Sequence, residues 1–247
     1  MNKGQTLGRA AVSLTILLAL PTMLGAVAQS DPQTPFFCGI HAGGNYGVFD
    51  QGIQLLPDTA FEFYESINAN WIGFGVTMAL EDSMDSTVGF TNEDSQYPAF
   101  EEWEIRQFVQ AAKERGFQIY LQLSLTMNAE QEYGKRTEGH NLGYPLAWQE
   151  IPALTRENWP WDPTHPDHEA FVAEFFASYT AMVLHYARIA EEEGIGMLAV
   201  GIELNSLFRT RSDDGRWSTE FRDEIKGMVD AVREVYSGLI TLSLIHI

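Results

Sequence analysis

"EEWEIRQFVQAAKERGFQIYLQLSLTM", residues 101–127, contains one complete structural unit, and the rest of the chain is read outward from it. Ile105, Phe108, Val109 and Ala112 recur at i, i+3, i+4 and i+7, so Glu101 to Arg115 reads as a helix with one apolar stripe. Gly116 suits the position just past a helix end, where the backbone turns left-handed. Phe117 to Met127 then reads as a buried strand. The unit is helix, glycine, strand.

The same unit recurs on both sides. "FFCGIHAGG" (36–44) reads as a strand ending in a glycine-rich turn, "TAFEFYESINAN" (59–70) as a helix, and "WIGFGVTMAL" (71–80) as a second strand. After a long connection from Asn128 to about Pro166, a helix is expected from Asp167 to Glu193. Phe171, Phe175, Met182, Tyr186 and Ile189 form its apolar face, and Gly194 ends it. "GMLAVGIEL" (196–204) reads as a fourth strand. Ser218 is the expected N-cap of a helix carrying Phe221, Ile225, Met228, Val232 and Val235, closed by Gly238, and "LITLSL" (239–244) is a fifth strand. Alternating strands and helices imply parallel strands covered by helices. A doubly wound sheet competes with a (β/α)8 TIM barrel truncated after about the fifth strand. The glycines of "GIHAGGNYG" do not match the G-x-G-x-x-G spacing that a nucleotide-binding doubly wound sheet wants. The long connections follow strands, where a barrel builds its active site. The barrel is the expected fold.

Residues 1–28 read as a secretory signal peptide. Lys3 and Arg9 precede an apolar run from Ala10 to Leu20, and Ala26-Val27-Ala28 is a small-x-small cleavage pattern. The domain is then 29–247, secreted or periplasmic, with no membrane association after cleavage. Cys38 is the sole cysteine, so no intrachain disulfide forms, and the residue reads as a small buried hydrophobe. The formal charge is −19, and near −21 without Lys3 and Arg9. Such a chain repels nucleic acid and anionic membranes and suits a neutral substrate.

"LAVGIELNSL", residues 198–207, carries the candidate chemistry. Glu203 falls at the C-terminal end of the fourth strand. A partly desolvated carboxyl there has a raised pKa and is suited to donating a proton near neutral pH. The structural alternative, a Glu capping the strand end or pairing with Arg209 or Arg211, stays equally open from position alone. Asn205 could bond a sugar hydroxyl or orient the acid. The connection after the third strand holds Tyr133, His140, Tyr144, Trp148, Trp159 and Trp161. Flat apolar faces with polar edges suit sugar rings, although one or two of these rings are expected merely to fold the loop down. His41, at the end of the first strand, and Arg209 are further candidate substrate contacts. His165 and His168 form an H-x-x-H pair without a third ligand, so neither metal nor cofactor is expected. Glu81 and Asp82, after the second strand, read as surface or substrate-contact residues, and Glu191 to Glu193 as surface charge.

"GIELNS", then "RW", then a helix ending in "VREVYSG" before a strand, resembles glycoside hydrolase family 113. "IRQFVQAAKERGFQIYLQL" and the 165–195 segment are similar to the preceding parts of that family's barrel, and the resemblance runs roughly from Gly39 to Thr241. It implies a clan A (β/α)8 barrel, a retaining mechanism on a β-linked polysaccharide such as mannan, and Glu203 as general acid/base. It also implies a nucleophilic Glu at the end of strand seven, which these 247 residues do not reach, so the chain as given is expected to be inactive. "LSLIHI" (242–247) reads as foreign to the family pattern. The full-length protein is expected to be a monomer. The competing readings are a non-catalytic carbohydrate-binding protein on a degenerate barrel and, more remotely, a metal-dependent barrel hydrolase.

Overall fold

The computed structural model describes residues 39–41, 58–82, 84–90, 100–127, 160–202, 204 and 221–243. In chain order the elements are β1 (Gly39–His41), α1 (Asp58–Ser66), β2 (Trp71–Leu80), β3 (Gly89–Phe90), α2 (Glu102–Glu114), β4 (Gln118–Met127), α3 (His168–Glu192), β5 (Met197–Ile202), α4 (Arg222–Arg233) and β6 (Leu239–Ser243).

The sheet runs β1-β2-β4-β5-β6, every neighbouring pair parallel. Each strand lies beside the one that precedes it across a helix. A doubly wound sheet reverses its order partway. This one does not, so its winding is that of a barrel. The short β3 was not anticipated. It pairs antiparallel with the end of β2, Met78 opposite Phe90 and Ala79 opposite Gly89.

Side-chain alternation divides the sheet into two faces. Ile72, Phe74, Val76, Met78 and Leu80 of β2, Ile119, Leu121, Leu123 and Leu125 of β4, and Leu198 and Val200 of β5 lie in one buried apolar cluster. Ile105, Phe108, Val109 and Ala112 of α2 join it, as their spacing requires. On α3 the buried set is broader than expected. Phe175, Tyr186 and Ile189 are buried, but so are Val172, Phe176, Tyr179 and Val183, while Phe171 and Met182 pack only at its margin. A 25-residue helix that covers two strands and also meets α4 needs more than one stripe.

Helix ends follow local chemistry. Gly116 and Gly194 have φ of +88° and +63°. At each, the following amide bonds back into the helix, Phe117 N–H to Ala112 O at 3.1 Å and Ile195 N–H to Ala190 O at 2.8 Å. Helix α4 starts later than expected. Phe221 occupies its N-cap position without a side-chain cap, and Ser218 lies outside the described residues. Phe221 is 4% exposed and packs on Trp161 and Phe176, so apolar anchoring takes the place of a polar cap.

Two tyrosines fasten β5 from the helix side. Tyr179 of α3 donates to Val200 O at 2.5 Å, and Tyr236, just past α4, donates to Ile195 O at 2.8 Å. Burial pushes both phenols up. The acidic run at the end of α3 is also fastened, which its reading as plain surface charge missed. Arg106 of α2 bridges Glu192 and Glu193, each at 2.7 Å, and the Glu191 carboxylate accepts the Ser237 N–H at 2.8 Å and its hydroxyl at 2.9 Å. The Ser237 bonds hold Glu191 below its ordinary 4.5. A depressed carboxyl stabilises the fold above its unfolded pKa and loses that contribution as pH falls through the folded one. Ser237→Ala is therefore expected to lower Tm at pH 7, with the gap to the parent closing below pH 4.5. A gap independent of pH would refute the link.

At this same end of the sheet, Trp71 opens β2 on the face away from the helices. A Cβ on Gly196 would stand 2.7 Å from its Cη2, and Gln118 Oε1 lies 3.3 Å from the same point. The indole thus reaches across the N-terminal ends of β2, β4 and β5. Gly196→Ala forces a buried ring to move and is expected to cost about 1–3 kcal/mol in urea or thermal unfolding. Unchanged stability would contradict this placement of the ring.

Candidate active site

The face away from the helices is built from small and polar residues. Going along the strands, β2 contributes Gly73, Gly75, Thr77 and Ala79, β4 contributes Tyr120, Gln122, Ser124 and Thr126, and β5 contributes Met197, Ala199 and Gly201. The register sets Gly75 beside Gln122, Thr77 beside Ser124 and Ala79 beside Thr126, with Gln122 beside Ala199 on the other flank. The polar β4 side chains are half-buried, Gln122 between Gly75 and Ala199 and Thr126 beside Ala79. Polar groups on an inward sheet face, in a fold whose apolar core lies elsewhere, are suited to contacting a polar ligand.

One contact on this face was not anticipated. Thr77 Oγ1 and Ser124 Oγ are 2.9 Å apart, and Ser124 Oγ donates to Val76 O at 3.1 Å. Thr77 is 5% exposed. Alternation along two adjacent strands could have put both residues on one face, but only the register could pair them.

The loop leaving β2 is held by its own acids. Asp82 Oδ1 accepts the Met84 N–H at 2.7 Å. Asp85 accepts the Glu81 N–H through Oδ2 at 3.0 Å and the Thr87 N–H through Oδ1 at 2.8 Å. Ser178 of α3 donates to Ser86 O at 2.7 Å and accepts the Val88 N–H at 3.0 Å. Asp82 thus has a turn-forming role, and Glu81 is exposed.

The segment entering α3 is built the same way. Asp162 Oδ1 accepts from the Thr164 N–H at 2.8 Å and from its hydroxyl at 2.7 Å. His165 Nδ1 accepts the Asp167 N–H at 3.2 Å. His168 Nδ1 lies 2.9 Å from Pro160 O and must donate, because a carbonyl only accepts. Each histidine therefore has one ring nitrogen committed to the backbone at the helix entrance.

Trp161, expected as a substrate contact, is a core residue. It is 2% exposed, and its ring meets Phe171 and Phe175 edge-on at 4.9 Å and Phe221 at 6.2 Å. Edge-to-face packing on three sides leaves no open face for a sugar ring. Glu203, Asn205, Arg209, Trp148 and Trp159 lie outside the described residues, as do Tyr133, His140, Tyr144 and Arg211. His41 ends β1 with its backbone in register with Gly73. The residues on either side of Glu203 are described: Ile202 is half-buried, and Leu204 is wholly buried in the apolar cluster.

Comparison with known proteins agrees with the fold. Residues 157–246 match the model of Glycoside Hydrolase Family 113, so the resemblance read from the sequence holds over that stretch. Among solved structures, a family 113 β-1,4-mannanase matches at a TM-score of 0.50 and 18% identity, over 75% of this chain and 48% of that one. A complex of a family 113 β-1,4-mannanase matches at 0.56 and 18%, over 84% and 55%. The family 113 β-mannanase of Alicyclobacillus acidocaldarius in complex with ManMIm matches at 0.55 and 18%, over 85% and 55%. At these identities the likeness is one of fold, and it is to a (β/α)8 barrel. The chain spans about half the length of these structures, 48–55%. A comparison with curated proteins gives no match.

Proposed function

We propose that this chain carries the first part of a secreted, retaining glycoside hydrolase that cuts a β-linked polysaccharide of the mannan type, with Glu203 as its general acid/base. One observation carries the reading, the place of Glu203 in the chain, directly after Ile202, the last residue of β5. A carboxyl at the C-terminal end of a barrel strand is suited to protonate a glycosidic oxygen and then to activate water.

The family match over residues 157–246, which includes Glu203, supports the reaction class. A retaining mechanism needs a second carboxyl about 5–5.5 Å from the first. We assign it to the part of the barrel that the solved mannanases have and this chain does not span. Asn205, Trp148, Trp159, Arg209 and His41 are proposed substrate contacts around that acid.

The test is hydrolysis by the full-length protein on β-1,4-mannan, cellulose and xylan, with the anomer of the first product followed by NMR. The expected result is cleavage of mannan with the β-anomer appearing first. An α-anomer first would overturn the retaining mechanism. Tight mannan binding without cleavage would replace the hydrolase with a sugar-binding protein.

A further inference from the structure

The proton count of the Thr77–Ser124–Val76 contact fixes a direction. Ser124 Oγ lies 2.9 Å from Thr77 Oγ1 and 3.1 Å from Val76 O. A carbonyl accepts only, and a serine has one hydroxyl proton. Both contacts are hydrogen bonds at once only if Ser124 donates to Val76 O and Thr77 donates to Ser124 Oγ. The hydroxyls then run one way, from Thr77 through Ser124 to the β2 backbone. Ser124 has spent its proton and one of its two lone pairs. The other lone pair remains for a ligand. Ser124 is half-buried on the inner face, and Thr77 is 5% exposed beside it. Thr126 is the next inner-face residue of β4, toward the C-terminal end of the strand.

We infer that Ser124 is a specificity residue that accepts a hydrogen bond from a sugar hydroxyl on the inner face of the sheet, and that Thr77 is the positioning residue that holds it in acceptor-only form. This rests on the glycosidase reading for its ligand, but not for the hydroxyl chain itself. A site that can only accept favours a ligand group that donates. It loses affinity when that group is methylated or replaced by hydrogen, because a buried acceptor is then left unpaired. Thr77 has no route to the ligand except through Ser124, so its contribution must vanish once Ser124 is gone.

The experiment uses the full-length protein with Thr77→Val, Thr77→Ser, Ser124→Ala and the double variant Thr77→Val/Ser124→Ala. Two quantities are measured: Tm without ligand, and the Kd for mannotetraose in catalytically silenced Glu203→Gln background. In Tm, the double variant is expected to be no lower than the worse single one. Additive losses in Tm would overturn the hydroxyl chain. In Kd, Ser124→Ala is expected to weaken binding about five- to tenfold, the scale of one hydrogen bond. Thr77→Val is expected to weaken it less, Thr77→Ser to match the parent, and the double variant to match Ser124→Ala. A non-additive Tm with unchanged Kd would overturn the ligand assignment and leave the chain. A parent that binds no β-linked oligosaccharide would overturn both the ligand assignment and the glycosidase reading.

Discussion

Glu203→Gln in the full-length protein is expected to lower kcat/KM on an unactivated β-linked mannooligosaccharide by about 10²–10⁴-fold, the usual weight of one positioned proton donor. Glutamine keeps the shape and hydrogen-bonding reach of the side chain and removes only the transferable proton. Binding should therefore hold while turnover collapses. The loss should depend on the leaving group. A phenolate with a low pKa departs without protonation, so aryl glycosides should retain their first step and stall at the second, where the same residue activates water. Added azide, which needs no base, should then restore turnover and yield a β-glycosyl azide. A variant that keeps more than about a tenth of the parent's rate on mannooligosaccharide would remove Glu203 from the acid/base role.

Trp161→Ala should give the largest loss of stability, about 3–5 kcal/mol, as expected for an aromatic deleted from a close-packed interior. Trp161 touches Phe171 and Phe175 on α3 and Phe221 at the start of α4, so its removal opens the seam between the two helices. Trp161→Phe should recover part of the loss, because a smaller ring still meets one or two of the three partners. KM for oligosaccharide should not move in the folded fraction of either variant. A raised KM with unchanged Tm would return Trp161 to the substrate-contact role that its loop position first suggested.

These two residues mark how far the chain could be read without coordinates. The strands over 71–80 and 118–127 and the helix between them were legible because each has a strong apolar pattern and glycine punctuation. The winding order was not legible. Strand–helix repetition suits both barrels and doubly wound sheets, and only the pairing of β1, β2, β4, β5 and β6 in sequence separates them. The sequence starts helix α4 too early because Ser218 is the better cap on propensity, whereas the helix begins after the buried ring of Phe221. Trp161 reads in sequence as a substrate contact because an aromatic in a polar loop has the same appearance whether it faces ligand or core. The fasteners at Arg106, Glu191 and Ser237 join residues far apart in the chain, which no local pattern reveals. Of the candidate site, the acid itself, Glu203, lies outside the described residues. The inner-face partners Thr77 and Ser124 required the register.

The indole of Trp71, laid across the N-terminal ends of three strands, grades the inner face by size. One large ring fills the space at the strand starts, where Gly196 makes room for it, and small and polar side chains follow toward the strand ends. Under the proposed function, a ligand is then expected at the C-terminal ends of the strands, where a barrel builds its site.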